Sequence, residues 1–317
     1  MSTTRIAIVQ RPPSLLHREE TVERAVASLE EAAADGAKLV VFPETYVPGY
    51  PAYIWRLTPG RDAELSRAIH RLLLDAAVDL VGNDLQPLRA AAARLKTTVV
   101  VGVHERDAAY SRASLFNTLV TIGADGTILN RHRKLVPTNP ERMIWSPGDA
   151  SGLQVVETPF GRLGGLICWE SYMPLARYSL YAQGVEVYVA PTWAEGEGWI
   201  SSMRHIAREG RCWVMGAGCS LQARDIPEDF PERERLFGEP DDWINDGDSV
   251  VVSPAGEVVA GPLHREHGIL TADIDVGAAR AAHYTLDVAG HYNRPDVFRL
   301  HVNRAPAEQI VFDDPAG

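Results

Sequence analysis

The sequence predicts an α/β fold, organised as a single domain in which helices cover buried sheet. Three features carry that expectation. Strand-like and helix-like segments alternate from Arg5 to about Tyr284, several strands are continuous apolar runs, and no linker, fixed-period repeat or low-complexity tract divides the chain. A strand that is apolar along its whole length has to be covered on both faces, which points to helices packed outside the sheet. At 317 residues the chain is long enough to bury a substantial core without disulfide help.

Each element is read from its local pattern. Residues 5–10, RIAIVQ, read as the first strand. Within 19–37, EETVERAVASLEEAAADGA, the residues Val22, Val26, Leu29 and Ala33 recur at helical spacing, and Gly36 marks the end. The next strand, 37–44, AKLVVFPE, is almost uninterrupted. A helix over 86–97 leads to the strand TVVVGVHE at 98–105. Residues 115–134 form a hairpin turning at Asp125 and Gly126, and 158–170 form a second one turning near Gly161. A helix over 172–183 is succeeded by the strand VEVYVAP, a helix around 200–211 and the strand CWVMGAGCS. A hairpin over 249–262, a strand over 268–275 and a short helix complete the alternation. Two stretches stand apart as long loops: 46–60, YVPGYPAYIWRLTPG, and the acidic 224–248. Loops of that length in a compact domain are usually functional or interfacial. The tail from Gly290 is irregular but keeps apolar residues, so it is expected to pack.

Composition narrows the function. A formal charge of −11 repels phosphate backbones and anionic lipid, so neither nucleic acid nor a membrane is an expected partner, and a small organic substrate fits better. No apolar stretch approaches bilayer length and the start lacks a signal-peptide pattern, so a cytoplasmic location is expected. Three cysteines without C-x-x-C spacing argue against a disulfide framework or a thiolate metal site. The one His-x-x-H pair, His264 and His267, has no accompanying acidic ligand and reads as a loop pair. Neither a metal nor a cofactor is expected.

Three strand ends carry chemistry. Cys168 closes the apolar run LGGLIC, where an open α/β sheet presents ligand-facing groups; the competing reading is a core cysteine. Glu44 follows the strand KLVVFP, where an exposed loop acid is the competing reading. Lys134 ends TILNRHRK, where Arg131, Arg133 and Lys134 also read as a solvated basic edge. A thiol, a carboxylate and an ammonium are together the parts needed to add a nucleophile to a polarised carbon. Histidines offer a rival base for the cysteine, His132 being near in sequence, but none ends an apolar strand. Cys212 and Cys219 have no charged residue placed to activate them and read as structural.

Four separated segments, VVFPET, HRKLVPTNPER, GLICWESYMPL and VAPTW, resemble in this order the signatures of the nitrilases, within the carbon-nitrogen hydrolase superfamily. The resemblance covers almost the whole chain. It implies a four-layer αββα sandwich over residues 1–285, followed by a tail, 286–317, packed on the core or on a neighbouring subunit. It also implies a Glu-Lys-Cys triad on Glu44, Lys134 and Cys168, with Glu141 of NPER as an additional acidic residue. The implied reaction is hydrolysis of an organic nitrile to the carboxylic acid and ammonia through a covalent thioimidate and thioester. Cys-Trp-Glu resembles true nitrilases, whereas amidases and carbamoyl hydrolases of the superfamily usually differ there; Ser171 stands where Asn or His is commoner in that branch. An amidase or carbamoyl hydrolase of the same superfamily is the alternative reading, and an inactive scaffold relative is the one from a different class. By their neighbourhood to the triad, Tyr50, Thr138, Trp145, Trp169, Pro191 and Trp193 are candidate pocket residues, and their aromatic character suggests an arylaliphatic or aromatic nitrile. The family's habit of forming dimers and spirals implies a homo-oligomer, with the loop 227–246 and the tail as contact elements.

Overall fold

The computed structural model describes residues 3–307 and 310. Its strands are β1 (Thr4–Gln10), β2 (Leu39–Val41), β3 (Thr98–Arg106), β4 (Leu115–Ile122), β5 (Ile128–Arg133), β6 (Val156–Thr158), β7 (Gly161–Gly165), β8 (Val187–Thr192), β9 (Trp213–Gly218), β10 (Ser220–Gln222), β11 (Trp243–Val252), β12 (Val258–His264) and β13 (Gly268–Ile274). The helices are α1 (Arg18–Ala34), α2 (Ala63–Ala76), α3 (Gln86–Leu95), α4 (Pro174–Tyr181), α5 (Gly196–Gly210), α6 (Arg233–Phe237) and α7 (Val276–Ala282). One sheet runs β13-β1-β2-β3-β4-β5, and the second runs β10-β11-β9-β8-β7-β6 with β12 paired to β11.

Neighbouring side chains on a strand point to opposite faces, and here the two faces bury different things. In β1, Ala7 and Val9 pack with Val22, Ala25 and Leu29 of α1, while Ile6 and Ile8 pack across to Val187, Val189 and Met215 of the other sheet. In β8 the alternate residues Tyr188 and Ala190 turn outward against Leu180 of α4 and Met203 and Ile206 of α5. The result is helix, sheet, sheet, helix, the four-layer αββα sandwich. Strands in both sheets read as unbroken apolar runs because each is covered twice. Both sheets are mixed: β1, β2 and β3 are parallel, as are β7, β8 and β9, and the outer pairs are antiparallel. Among the described residues no helix is long and apolar enough to cross a membrane.

Several expected elements shift. The strand read over 37–44 keeps ladder geometry only at Leu39–Val41, so Glu44 lies three residues past its end. Helix α2 occupies a stretch in which the sequence suggested no element, although Ile69, Leu73 and Ala76 form its buried stripe. The acidic segment 224–248 is not wholly loop: it holds α6, which buries Leu236 and Phe237, and the start of β11. His264 closes β12 rather than lying in a loop. In the tail, Val288, Ala289 and Val302 pack against the α4/α5 layer.

One close approach ties the first sheet to the segment after β2. A Cβ on Gly102, in the middle of β3, would lie 2.3 Å from the Thr45 nitrogen and 2.5 Å from the Pro43 oxygen. The backbone around Glu44 therefore rests directly on bare backbone of β3. We expect Gly102→Ala to lower the unfolding free energy by about 1–3 kcal/mol, since overpacking against backbone has nowhere to relax. Urea denaturation measures this, and unchanged stability would contradict the packing.

Candidate active site

Glu44, Lys134 and Cys168 each lie past the end of a strand, and all three are buried: they are 0%, 1% and 4% exposed. The loop-acid reading of Glu44 and the basic-edge reading of Lys134 both fail on that burial. Arg131 and Arg133 turn instead to Glu105.

Lys134 Nζ lies 2.8 Å from Glu44 Oε1 and 2.7 Å from Glu141 Oε2, so one ammonium is shared by two carboxylates. Each acid is held by further donors. Asn117 Nδ2 donates to Glu44 Oε1 at 2.8 Å, and the Trp193 backbone N–H donates to Oε2 at 2.7 Å. On Glu141, the Thr138 N–H donates to Oε2 and the Tyr50 hydroxyl to Oε1, both at 2.7 Å. Glu141 sits in the short helical turn Asn139–Met143, which brings its carboxylate back over the Thr138 N–H.

Cys168 opens a tight turn, Cys168–Tyr172, three residues beyond β7, and adopts φ 53°. Left-handed backbone is uncommon for a side chain other than glycine and concentrates at functional sites. Glu170 fixes the turn. Its carboxylate accepts the N–H groups of Ile167 (2.9 Å) and Leu135 (2.8 Å) and His132 Nε2 (2.9 Å). His132 is thus committed to Glu170, with Nδ1 left without a hydrogen bond. The Thr192 hydroxyl donates to Cys168 Sγ at 3.2 Å.

Burial pushes the Cys168 thiol up to about 12, with Glu44 adding to the rise and Lys134 opposing it. Burial also holds the Glu44 carboxyl above its ordinary range against the pull of Lys134. For Lys134 burial acts downward, but Glu44, Cys168 and Glu141 outweigh it, and its ammonium is held above the usual lysine value. The resting site therefore holds a neutral thiol beside the Lys134 ammonium.

A cavity of about 440 Å³ opens over Cys168 and Glu141. Tyr50, Thr138, Trp169 and Trp193 border it, together with Trp55, Tyr172, Trp199, Glu195 and Asn245. Trp145 and Pro191 do not. Trp145 stands behind Tyr50, its indole N–H given to His104 Nδ1 at 2.9 Å, and Pro191 lies within β8. Cys212 and Cys219 are buried away from the cavity lining, the Cys219 thiol reaching the Glu44 carbonyl at 3.6 Å. Among the described residues no group of three or more potential ligands is placed to hold a metal.

Sequence reasoning passed over Asn117, Glu170, Thr192 and Glu195. Asn117 left a signal, a lone amide inside the apolar strand LFNTLVTI. Glu170 stood in plain view beside the cysteine, but its role depends on backbone groups that no motif names.

The sequence model of the carbon-nitrogen hydrolases matches residues 5–284. The chain belongs to this family. It is 39% identical to the bifunctional nitrilase/nitrile hydratase NIT4A of Lupinus angustifolius, covering 98% of this chain and 89% of that one. It is also 39% identical to an aliphatic nitrilase of Sinorhizobium fredii HH103, covering 98% and 99%. Among solved structures, a carbon-nitrogen hydrolase from Helicobacter pylori G27 superposes with a TM-score of 0.70 at 19% identity, over 93% of this chain and 97% of that one. Saccharomyces cerevisiae Nit3 does so at 0.70 and 20%, over 92% and 97%. At such identities these structures speak for the fold. The carbon-nitrogen hydrolase sandwich is the frame that brings both sheets' strand ends to one cavity.

A neutral thiol at rest has a chemical signature. Alkylation of Cys168 by iodoacetamide, monitored by peptide mass spectrometry, should keep accelerating above pH 9. A rate that levels off near neutrality would show a preformed thiolate and contradict the raised thiol pKa.

Proposed function

We propose that this carbon-nitrogen hydrolase is a nitrilase, converting an organic nitrile and two waters to the carboxylic acid and ammonia. The observation that carries the reading is a single thiol at the floor of an aromatic cavity, beside an ammonium shared by two carboxylates. Identity of 39% along almost the full length of named nitrilases supports the nitrile as electrophile.

In this reading Cys168 Sγ attacks the nitrile carbon as its proton passes to Glu44, and the carbon–nitrogen π pair moves to nitrogen. Lys134 stabilises the charge that develops there, which a buried ammonium does more strongly than one in water. Nitrogen takes that proton from Glu44, which leaves the carboxylate ionised again, and the product is a thioimidate. Glu44 then accepts a proton from water as its oxygen adds to the same carbon. Glu44 returns that proton to the departing nitrogen, so loss of ammonia leaves a thioester; a second water, deprotonated in the same way, releases the acid as its proton restores the thiol. Glu141, locked by Tyr50 and Thr138, positions Lys134, and Thr192 donates to the sulfur as it gains charge. Exposed apolar side chains at Leu175, Val297 and Phe298 support assembly into a homo-oligomer.

Ammonia release from a panel of nitriles and their matched amides tests the reading, with Cys168→Ala as the inactive control. Release from amides alone would move the assignment to an amidase, and release from neither would favour a scaffold. Glu44→Gln should lower kcat/KM by about 10²–10⁴-fold; near-normal turnover would remove the assigned base. Because the base must be ionised and burial raises its pKa, kcat/KM should fall with decreasing pH through a limb above the ordinary glutamate value of about 4.3. A limb at or below that value would contradict the raised pKa.

A further inference from the structure

The cavity is one-sided in charge. Its lining includes Glu195 and Glu141 but no Lys, Arg or His. Lys134, beneath it, is already shared by two carboxylates, so it offers no net positive potential to a substrate's outer end. Glu141 is committed to Lys134, Tyr50 and Thr138.

Glu195 is the other acid of the lining. It lies three residues beyond β8, exposed at the cavity mouth, and one carboxylate oxygen, Oε2, accepts the Asp246 N–H at 2.6 Å. Its neighbours are held by other partners: Asp246 pairs with Arg265 at 3.0 Å, and Asp248 lies 2.7 Å from His264 Nδ1. Among the described residues no cationic side chain pairs with Glu195.

Around this carboxylate, which no cation contacts directly, the wall is aromatic. Tyr50 and Trp193 stack with centroids 4.2 Å apart, and Trp169 and Tyr172 meet edge to face at 5.8 Å while each stays nearly half exposed. Edge-to-face packing leaves ring faces uncovered, and uncovered π faces beside a carboxylate attract cations and repel anions. The chain's net charge of −11 biases encounter in the same direction.

We infer that the substrate is a nitrile carrying a positively charged nitrogen, with Glu195 as its counterion and the aromatic rim as the surface on which the cation rests. The inference rests on the nitrilase reading and names the substrate class of that same cavity. Glu195 is then a specificity residue that touches the end of the substrate remote from the reacting carbon.

Three nitriles of matched size test it: one bearing a trimethylammonium group, its uncharged tert-butyl counterpart, and one bearing a carboxylate. The readouts are kcat/KM in the wild type and Kd in Cys168→Ala by calorimetry. The expected result is a preference of roughly tenfold for the ammonium over the uncharged nitrile, with the carboxylate poorest. Glu195→Gln should pull that ratio toward one and Glu195→Asp should keep part of it. Turnover of all three without charge preference, or a ratio unmoved in Glu195→Gln, overturns the inference and leaves the nitrilase reading standing. Tighter binding of the ammonium compound to Cys168→Ala, with no hydrolysis of any nitrile by the wild type, supports the charge recognition and overturns the nitrilase reading. Neither binding nor turnover overturns both.

Discussion

The Lys134 ammonium, held out of water between Glu44 and Glu141, is the interaction on which the rest of the site depends. Removing an ion from water costs several kcal/mol, and only close opposite charge with full hydrogen bonding offsets it. Both acids meet that demand: Asn117 and the Trp193 N–H complete Glu44, and Tyr50 and the Thr138 N–H complete Glu141. Two carboxylates facing one ammonium also explain why the neighbouring thiol keeps its proton. A thiolate would add a further negative charge where burial already disfavours it. In the proposed reaction the cysteine would give up its proton only as the sulfur forms its new bond.

The sandwich supplies what such a cluster requires. Lys134 lies just past a strand of one sheet, Cys168 and Trp193 lie past strands of the other, and the apolar contact between the sheets fixes them relative to one another. Backbone at Thr45, Asn139 and Cys168 is left-handed, with φ of 43°, 46° and 53°. Each such residue costs of order 1–3 kcal/mol. All three adjoin or belong to the site, so the doubly covered sheets carry conformations that the local sequence would not adopt alone. Glu170 does for the cysteine turn what Glu141 does for the lysine, accepting backbone N–H groups from both sides so that the turn cannot relax.

The fold was legible because its strands are buried on both faces: runs such as KLVV and VEVYVA announce themselves without alternation. Elements that pack by one narrow stripe were harder to see. Helix α2 shows only Ile69, Leu73 and Ala76 to the core, and α6 is a single turn inside an acidic stretch. At the site, strand ends and motif order pointed to Glu44, Lys134, Glu141 and Cys168, since chemistry-bearing types are rare after apolar strands. The supporting shell was hidden for a different reason. Asn117, Glu170 and Thr192 act through backbone groups and through residues remote in sequence, and proximity along the chain misled for Trp145, whose indole is drawn away from the cavity by His104.

A double-mutant cycle between Glu44 and Lys134, read by urea unfolding, tests the central interaction most directly. Lys134→Met leaves two carboxylates buried without their cation, so a second change, Glu44→Gln, should relieve part of that cost. Strong non-additivity is expected, a coupling of about 2 kcal/mol or more. Additive losses would show that the ammonium and the carboxylate do not share one dry environment, and that the cluster does not hold the site together.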